Sequence, residues 1–214
     1  MIDLRLPAGR LEVLCLGAHC DDIEIGCGGT LLQLASSGRA TVRSVVLSGT
    51  PERRAESRAA AAAFGNTEPP RFLDVPDGRF PAHWGAVKQH LEDAARDLPT
   101  PDLVLAPRPD DRHQDHRLLA ELTTTTWRDS LVLHYEIPKW DGDLGPVTHY
   151  VPLDEATARR KFALLDENYP SQRHRDWWDE QMFLGLLRLR GMECRAPYAE
   201  GLVVAKARLD VTEG

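Results

Sequence analysis

The chain has 214 residues, 42% of them hydrophobic and 28% charged, which places it among globular domains with enough length to bury a real core. Acidic residues outnumber basic ones by 33 to 26, and the net charge of -7 argues against nucleic acid or an anionic membrane as the main partner. Four cysteines without a C-x-x-C pair argue against a disulfide framework and fit a reducing compartment, and Cys15 reads as a small buried hydrophobe.

The opening stretch "MIDLRLPAGRLEVLCLG" has only a short apolar run and carries Arg5 and Arg10, so it reads as neither signal peptide nor membrane span, and a cytoplasmic location is expected. Within it, "LEVLCLG" (11–17) has the continuous apolar pattern of a strand covered on both faces. "GGTLLQLASSG" then reads as a helix closed by Gly38, "ATVRSVVLSG" (40–49) as the next strand, and "PERRAESRAAAAAFG" as a helix opened by Pro51 and stopped at Gly65. A helix around 81–97, a strand at "DLVLAP" (102–107), a helix over 114–128 and a strand at "SLVLHYE" (130–136) continue the rhythm. Beyond it come the loop "IPKWDGDLGP", the helices "DEATARRKFALLDEN" and "DWWDEQMFLGLLRLRG", and the strand "EGLVVAKARL". The expected fold is α/β and Rossmann-like: a mostly parallel twisted sheet with helices on both faces, in one domain over 1–214, with the C-terminal third packed near the mouth of the sheet.

Two polar clusters interrupt this apolar framework, each just past a strand. The first is His19, Asp21 and Asp22 in "LGAHCDDIEIGCGG"; the second is "RPDDRHQDHR" (108–117), with His113 and His116. Ligands of open α/β sheets sit where strands end, so both clusters can face one crevice. Histidine with carboxylate suits Zn2+ or another divalent ion such as Fe2+, and a catalytic zinc takes three protein ligands. His19, Asp22 and His116 make such a set. Asp21 is left over, and an activated water needs a nearby carboxylate to take its proton. In "HQDH" the i, i+3 spacing puts both rings on one helix face, so one can ligate while the other acts as a donor, with Asp115 behind a ligating imidazole.

These residues resemble a known family. "AHCDDIEIGCGG" is similar to the A-H-P-D-D-x-x-x-G-x-G-G motif, and "HQDH" to the H-x-D-H motif, of the PIG-L/LmbE-like zinc-dependent de-N-acetylases. "RRAESRAAAAAFG", "PDGRF", "YPSQ" and "YAEGL" extend the resemblance over nearly the whole chain. It implies a Rossmann-like fold and an enzyme that removes acetyl from an N-acetylated amino sugar or its conjugate. It also implies metal ligation by His19, Asp22 and His116, Asp21 as general base, His113 as acid or oxyanion stabiliser, and contact of Arg53 with the sugar or phosphate of a substrate. Two positions depart from the pattern: Cys20 replaces proline, and Asp111 stands where some members have tyrosine.

Other readings weigh against these. The same metal site could cut a bulkier amide, or "GCGG" could be the phosphate loop of a non-enzymatic nucleotide-binding module, although "SGTPERR" lacks the acid such a module needs after the second strand. Cys20 reads as an inert spacer, and His83, His90, His134, His149 and His174 as structural. Trp127 and Trp140 read as packing residues, Trp177 and Trp178 as core in preference to a sugar-stacking wall, and the arginines around 188–195 as a solvated helix face. The expected partner is a small N-acetylated sugar or conjugate, specified by the loops 74–84 and 136–150, with self-association into a homo-oligomer left open.

Overall fold

The structure, a computed structural model, describes residues 2–209. Seven strands form one sheet: β1 Leu11–Gly17, β2 Ala40–Val46, β3 Arg71–Phe72, β4 Leu103–Pro107, β5 Leu131–Tyr135, β6 His149–Leu153 and β7 Tyr198–Val204. Their spatial order is β3-β2-β1-β4-β5-β7-β6. From β3 to β5 every pairing is parallel, whereas β7 runs antiparallel to both β5 and β6. The direction of strand addition reverses at β1, which pairs with β2 on one side and β4 on the other, and such a reversal opens a crevice at the carboxyl ends of the two central strands. Both polar clusters follow these two strands.

Six helices cover the sheet: α1 Asp22–Ser37, α2 Pro51–Ala63, α3 Trp84–Asp97, α4 Gln114–Thr126, α5 Glu155–Asn168 and α6 Glu180–Cys194. The pleat sends Val13 and Cys15 into a core shared with Leu31 of α1, Ala60 of α2, Leu164 of α5 and Phe183 of α6. Leu14 and Leu16 point the other way, against Val87 and Leu91 of α3 and Leu119 of α4. Burial on both faces explains why β1 is apolar without alternation; each fully buried Leu contributes about 1.5–3 kcal/mol. All four cysteines are free, and Cys15 is fully buried as expected.

Helix ends follow local chemistry. Thr50 caps α2 ahead of Pro51, Asp154 caps α5, and Gly38 in the left-handed region closes α1. The last helix begins at Glu180, where Asp179 accepts the Met182 N–H (2.9 Å), so Trp177 and Trp178 lie in the turn before it. Strand β6 is missing from the sequence expectation because Pro152 interrupts its pattern; at the sheet edge a residue without an N–H costs nothing.

Two expectations are corrected. Trp140 is 62% exposed rather than packed. Arg190 is not on a solvated face: it is buried and donates to both oxygens of Glu136 at 2.7 Å, because this α6 position faces the end of β5. Among the described residues no helix is long and apolar enough to cross a membrane.

The "GCGG" segment lies inside α1, which breaks at Cys27 (φ -139, ψ 21). The restarted helix is capped from far along the chain: Glu200 on β7 accepts the N–H of Gly29 and of Thr30, both at 2.7 Å, and the Thr30 hydroxyl at 2.6 Å. Glu200 is paired with buried Lys161 (2.7 Å), which also donates to the Ile25 carbonyl (2.6 Å). A Cβ at Gly29 would lie 2.5 Å from Leu153, so the glycine is required by close approach. The peptide N–H groups a phosphate would use are therefore taken by a protein carboxylate, which removes the basis for the nucleotide-loop reading.

Candidate active site

His19 leaves the end of β1, Asp22 opens α1, and His116 sits in the first turn of α4. The His19 N–H donates to Asp22 Oδ2 at 2.9 Å, which fixes the turn between strand and helix. His19 Nδ1 lies 3.1 Å from His116 Nε2, His116 Nε2 lies 3.3 Å from Asp22 Oδ2, and Asp22 Oδ2 lies 3.6 Å from His19 Nδ1. Donors around a tetrahedral ion at ~2.0–2.2 Å are separated by about 3.3 Å, so the three atoms fit the face of such a site. They are the three residues singled out in the sequence.

Asp21 occupies the N-cap position of α1, yet its side chain accepts no helix N–H. Its carboxylate instead meets Arg53 at 2.8 Å. Arg53 also contacts Glu56 (2.8 Å) and the Ser171 hydroxyl (3.0 Å), and its guanidinium lies 5.2 Å from the centre of the Tyr169 ring. Arg53, the residue expected to meet the substrate, is thus held beside the site with Asp21 as its partner there. The Tyr169 hydroxyl lies 2.5 Å from the Cys20 carbonyl and 2.7 Å from Glu24, tying "YPSQ" to the turn that bears the aspartates.

His113 caps α4: its Nδ1 accepts the Asp115 N–H at 3.3 Å, which leaves the ring proton on Nε2. Its ring centre lies 4.8 Å from that of His19 and 4.7 Å from that of His116. The carboxylate behind His116 is Asp111, with Oδ2 2.9 Å from Nδ1, rather than the adjacent Asp115. Neighbouring helix positions diverge, whereas Asp111 lies before the cap and folds back. Asp115 accepts the N–H groups of Gly78 (2.7 Å) and Phe80 (3.0 Å), and its Oδ2 stands 3.4 Å from His19 Nε2. This holds the 77–80 turn against the site and brings Asp77 to 3.1 Å from the same nitrogen, although neither carboxylate lies along the ring N–H direction. Asp77 had no assigned role in the sequence; its signals were membership of "PDGRF" and of the loop 74–84. The donors of His19, Asp77, His113 and Asp115 lie within 4.8 Å of one another, as do those of His19, His113 and His116.

Comparisons with known proteins place the chain in a family. The PIG-L family model, described as GlcNAc-PI de-N-acetylase, matches residues 14–127, a span that includes both clusters. The uncharacterized deacetylase YaiS of Escherichia coli (strain K12) is 33% identical over 140 residues, covering 60% of this chain and 75% of its own. The chain belongs to the PIG-L family. Among solved structures, the conserved protein TT1542 from Thermus thermophilus superposes with a TM-score of 0.75 at 24% identity, over 95% of this chain and 99% of its own. The N,N'-diacetylchitobiose deacetylase from Pyrococcus horikoshii gives a TM-score of 0.71 at 22% identity, over 90% of this chain and 83% of its own. These two likenesses establish the PIG-L fold.

In this PIG-L family deacetylase the electrostatics favour positive charge between the motifs. Burial opposes protonation of His116, yet Asp22 and Asp111 carry it up to about 9; burial likewise opposes protonation of His19, which Asp22 and Asp115 raise. Burial acts to raise Asp22, but His116 and His19 hold it well below its ordinary value. A divalent cation meets the same demand for charge, so the donor set fits a metal. His113 differs: burial, then His116 and His19, lower it and keep it neutral. Burial, reinforced by Asp22, raises Asp21 against the pull of Arg53. Burial pushes the Cys20 thiol up to about 12, so it stays protonated, with its Sγ 3.4 Å from the Ser48 carbonyl oxygen.

Proposed function

We propose that this chain is a metal-dependent hydrolase that removes acetyl from an N-acetylated amino sugar or its conjugate, with Zn2+ or a similar divalent ion held by His19, Asp22 and His116. The observation that carries the reading is the convergence of these three donor atoms within 3.1–3.6 Å, next in the chain to a second, non-capping carboxylate, Asp21. When bound, zinc polarises an amide carbonyl and makes water acidic enough to act near neutral pH.

The chain's own groups do the rest. Asp21 takes the proton from the attacking water, and Arg53 fixes its carboxylate. His113, with Nδ1 occupied by a backbone N–H, turns a protonated nitrogen to the site and donates to the developing oxyanion or to the departing amine. Asp111 locks the ring of His116 through Nδ1. Water adds to the acetyl carbon, the C–N bond breaks, the amine leaves with a proton, and acetate is released. Family membership supports de-N-acetylation, and the named activity of the Pyrococcus neighbour supports a sugar substrate.

The test is a screen of N-acetylglucosamine conjugates for acetate release, with and without added zinc, alongside metal analysis. Binding of about one metal per chain and chelator-sensitive acetate release are expected. A protein that takes up no metal from excess zinc sinks the hydrolase reading, and turnover restricted to amides bulkier than acetyl redirects it to an amidase.

A further inference from the structure

Helix α2 carries three arginines, and each has different neighbours. Arg54 donates to the Gly49 and Leu73 carbonyls and to Asp74, and Arg58 lies over the Phe72 ring. Arg53 turns to the candidate site, and Glu56, three residues on, shares its helix face. The Glu56 side chain is only 9% exposed, yet nothing in the proposed chemistry uses it.

Its hydrogen bonds account for how Arg53 is aimed. Glu56 Oε1 accepts the Ser171 N–H at 2.9 Å, while Oε2 accepts the Ser171 hydroxyl at 2.7 Å and Arg53 Nη1 at 2.8 Å. With its own proton given to Glu56, the Ser171 hydroxyl accepts from Arg53 Nη1 at 3.0 Å. Both N–H bonds of Nη1 are thus engaged, and the guanidinium lies over the Tyr169 ring, 5.2 Å from its centre. A guanidinium is planar and rigid, so fixing Nη1 and one face also fixes Nη2, which meets Asp21 Oδ2 at 2.8 Å. The Asp21 side chain makes no cap bond of its own that would hold it.

We propose that Glu56 is a positioning residue for the base: by gripping Nη1 of Arg53 it directs Nη2 at Oδ2 of Asp21 and leaves Oδ1 to take the proton from water. This rests on the deacetylase reading and adds to it a residue that acts through Arg53.

The test uses the zinc-loaded full chain and an N-acetylglucosamine conjugate that the wild type turns over. Glu56→Gln keeps a carbonyl oxygen for the Ser171 N–H but sets an amide NH2 against Arg53 Nη1, donor against donor. Misplacing a reacting group costs up to about 10²-fold, so kcat should fall about 10- to 100-fold, with KM within about twofold of wild type and about one metal per chain. In the Asp21→Asn background the same substitution should change kcat by less than about twofold, because no base is left to position. A crystal structure of Glu56→Gln should show Arg53 drawn off Asp21. Equal fold-losses in the two backgrounds overturn the proposal, since a purely structural role lowers both alike. So do an unchanged kcat, a rise in KM alone, which would make Glu56 a substrate-binding element, and a loss of metal. If Glu56→Gln does not fold, Glu56→Asp, shorter by one methylene, carries the same cycle with the same outcomes deciding. If no compound releases acetate, the deacetylase reading fails, and the crystal structure still decides whether Glu56 holds Arg53 on Asp21: a contact kept at 2.8 Å in the variant overturns it.

Discussion

Up to Tyr135 the chain alternates strand and helix and contributes His19, Asp21, Asp22, Asp111, His113 and His116. From Glu136 onward it adds two antiparallel pairings and none of those side chains, but it sends buried polar groups back. Lys161 reaches the Ile25 carbonyl, Tyr169 the Cys20–Glu24 turn, Ser171 the Arg53–Glu56 pair, and Glu200 the break in α1. The groups proposed to react come from strand ends, and their positions are held by anchors more than a hundred residues away. Mutations in the first region should therefore act on metal and rate, and mutations in the second on stability.

The largest effect is expected at His116. His116→Ala should abolish stoichiometric metal binding and activity together, measured by metal analysis and acetate release; full metal occupancy in this variant would remove it from the ligand set. Asp21→Asn should keep its metal, because the amide is nearly isosteric, yet lose about 10²–10⁴-fold in kcat/KM and the acidic limb of its pH profile. Near-wild-type turnover at saturating zinc would deny Asp21 the role of base.

Across the divide, Glu200→Ala should lower stability by about 3–5 kcal/mol, since it strands the buried Lys161 ammonium, while metal stoichiometry stays at about one. Denaturant melts with parallel metal titration check this, and metal loss without loss of stability would break the proposed division. His113→Ala should retain metal and slow turnover about 10²-fold, the scale of losing an acid or oxyanion donor; equal metal loss at His113 and His116 would mean that the pair is not divided. The smallest effect belongs to Cys20→Ser, which should leave metal affinity and rate within about a few-fold of wild type, because the thiol is buried and protonated. A large loss of metal there would make Cys20 a ligand.

The same divide sets what the sequence discloses. His19, Asp22 and His116 are legible because each follows an apolar strand at short range and the two strands are neighbours in a parallel sheet. Local spacing also explains Pro51 and Gly38. It is silent about Asp111 and Asp77, whose roles depend on how two loops fold back, and it misassigns Arg190, whose partner Glu136 is 54 residues distant. Arg53 shows the limit most plainly. The sequence offers it only as a substrate contact, and the folded chain adds Asp21, Glu56 and Ser171 converging on it.

The break in α1 bears on how the chain reaches its native state. Glu200 caps a helix 171 residues earlier in the chain, so the turn that carries both aspartates is fixed at one end by β1 and at the other by one of the last strands to be synthesised. Closing so long a loop is paid for in chain entropy before any contact rewards it, which makes this a late and slow folding event. A nascent chain stopped short of β7 would hold an uncapped helix start and an unpaired lysine beneath the sheet. Assembly of the turn that carries Asp21 and Asp22 is thus tied to the synthesis of β7, and a late strand sets the helix that follows the first.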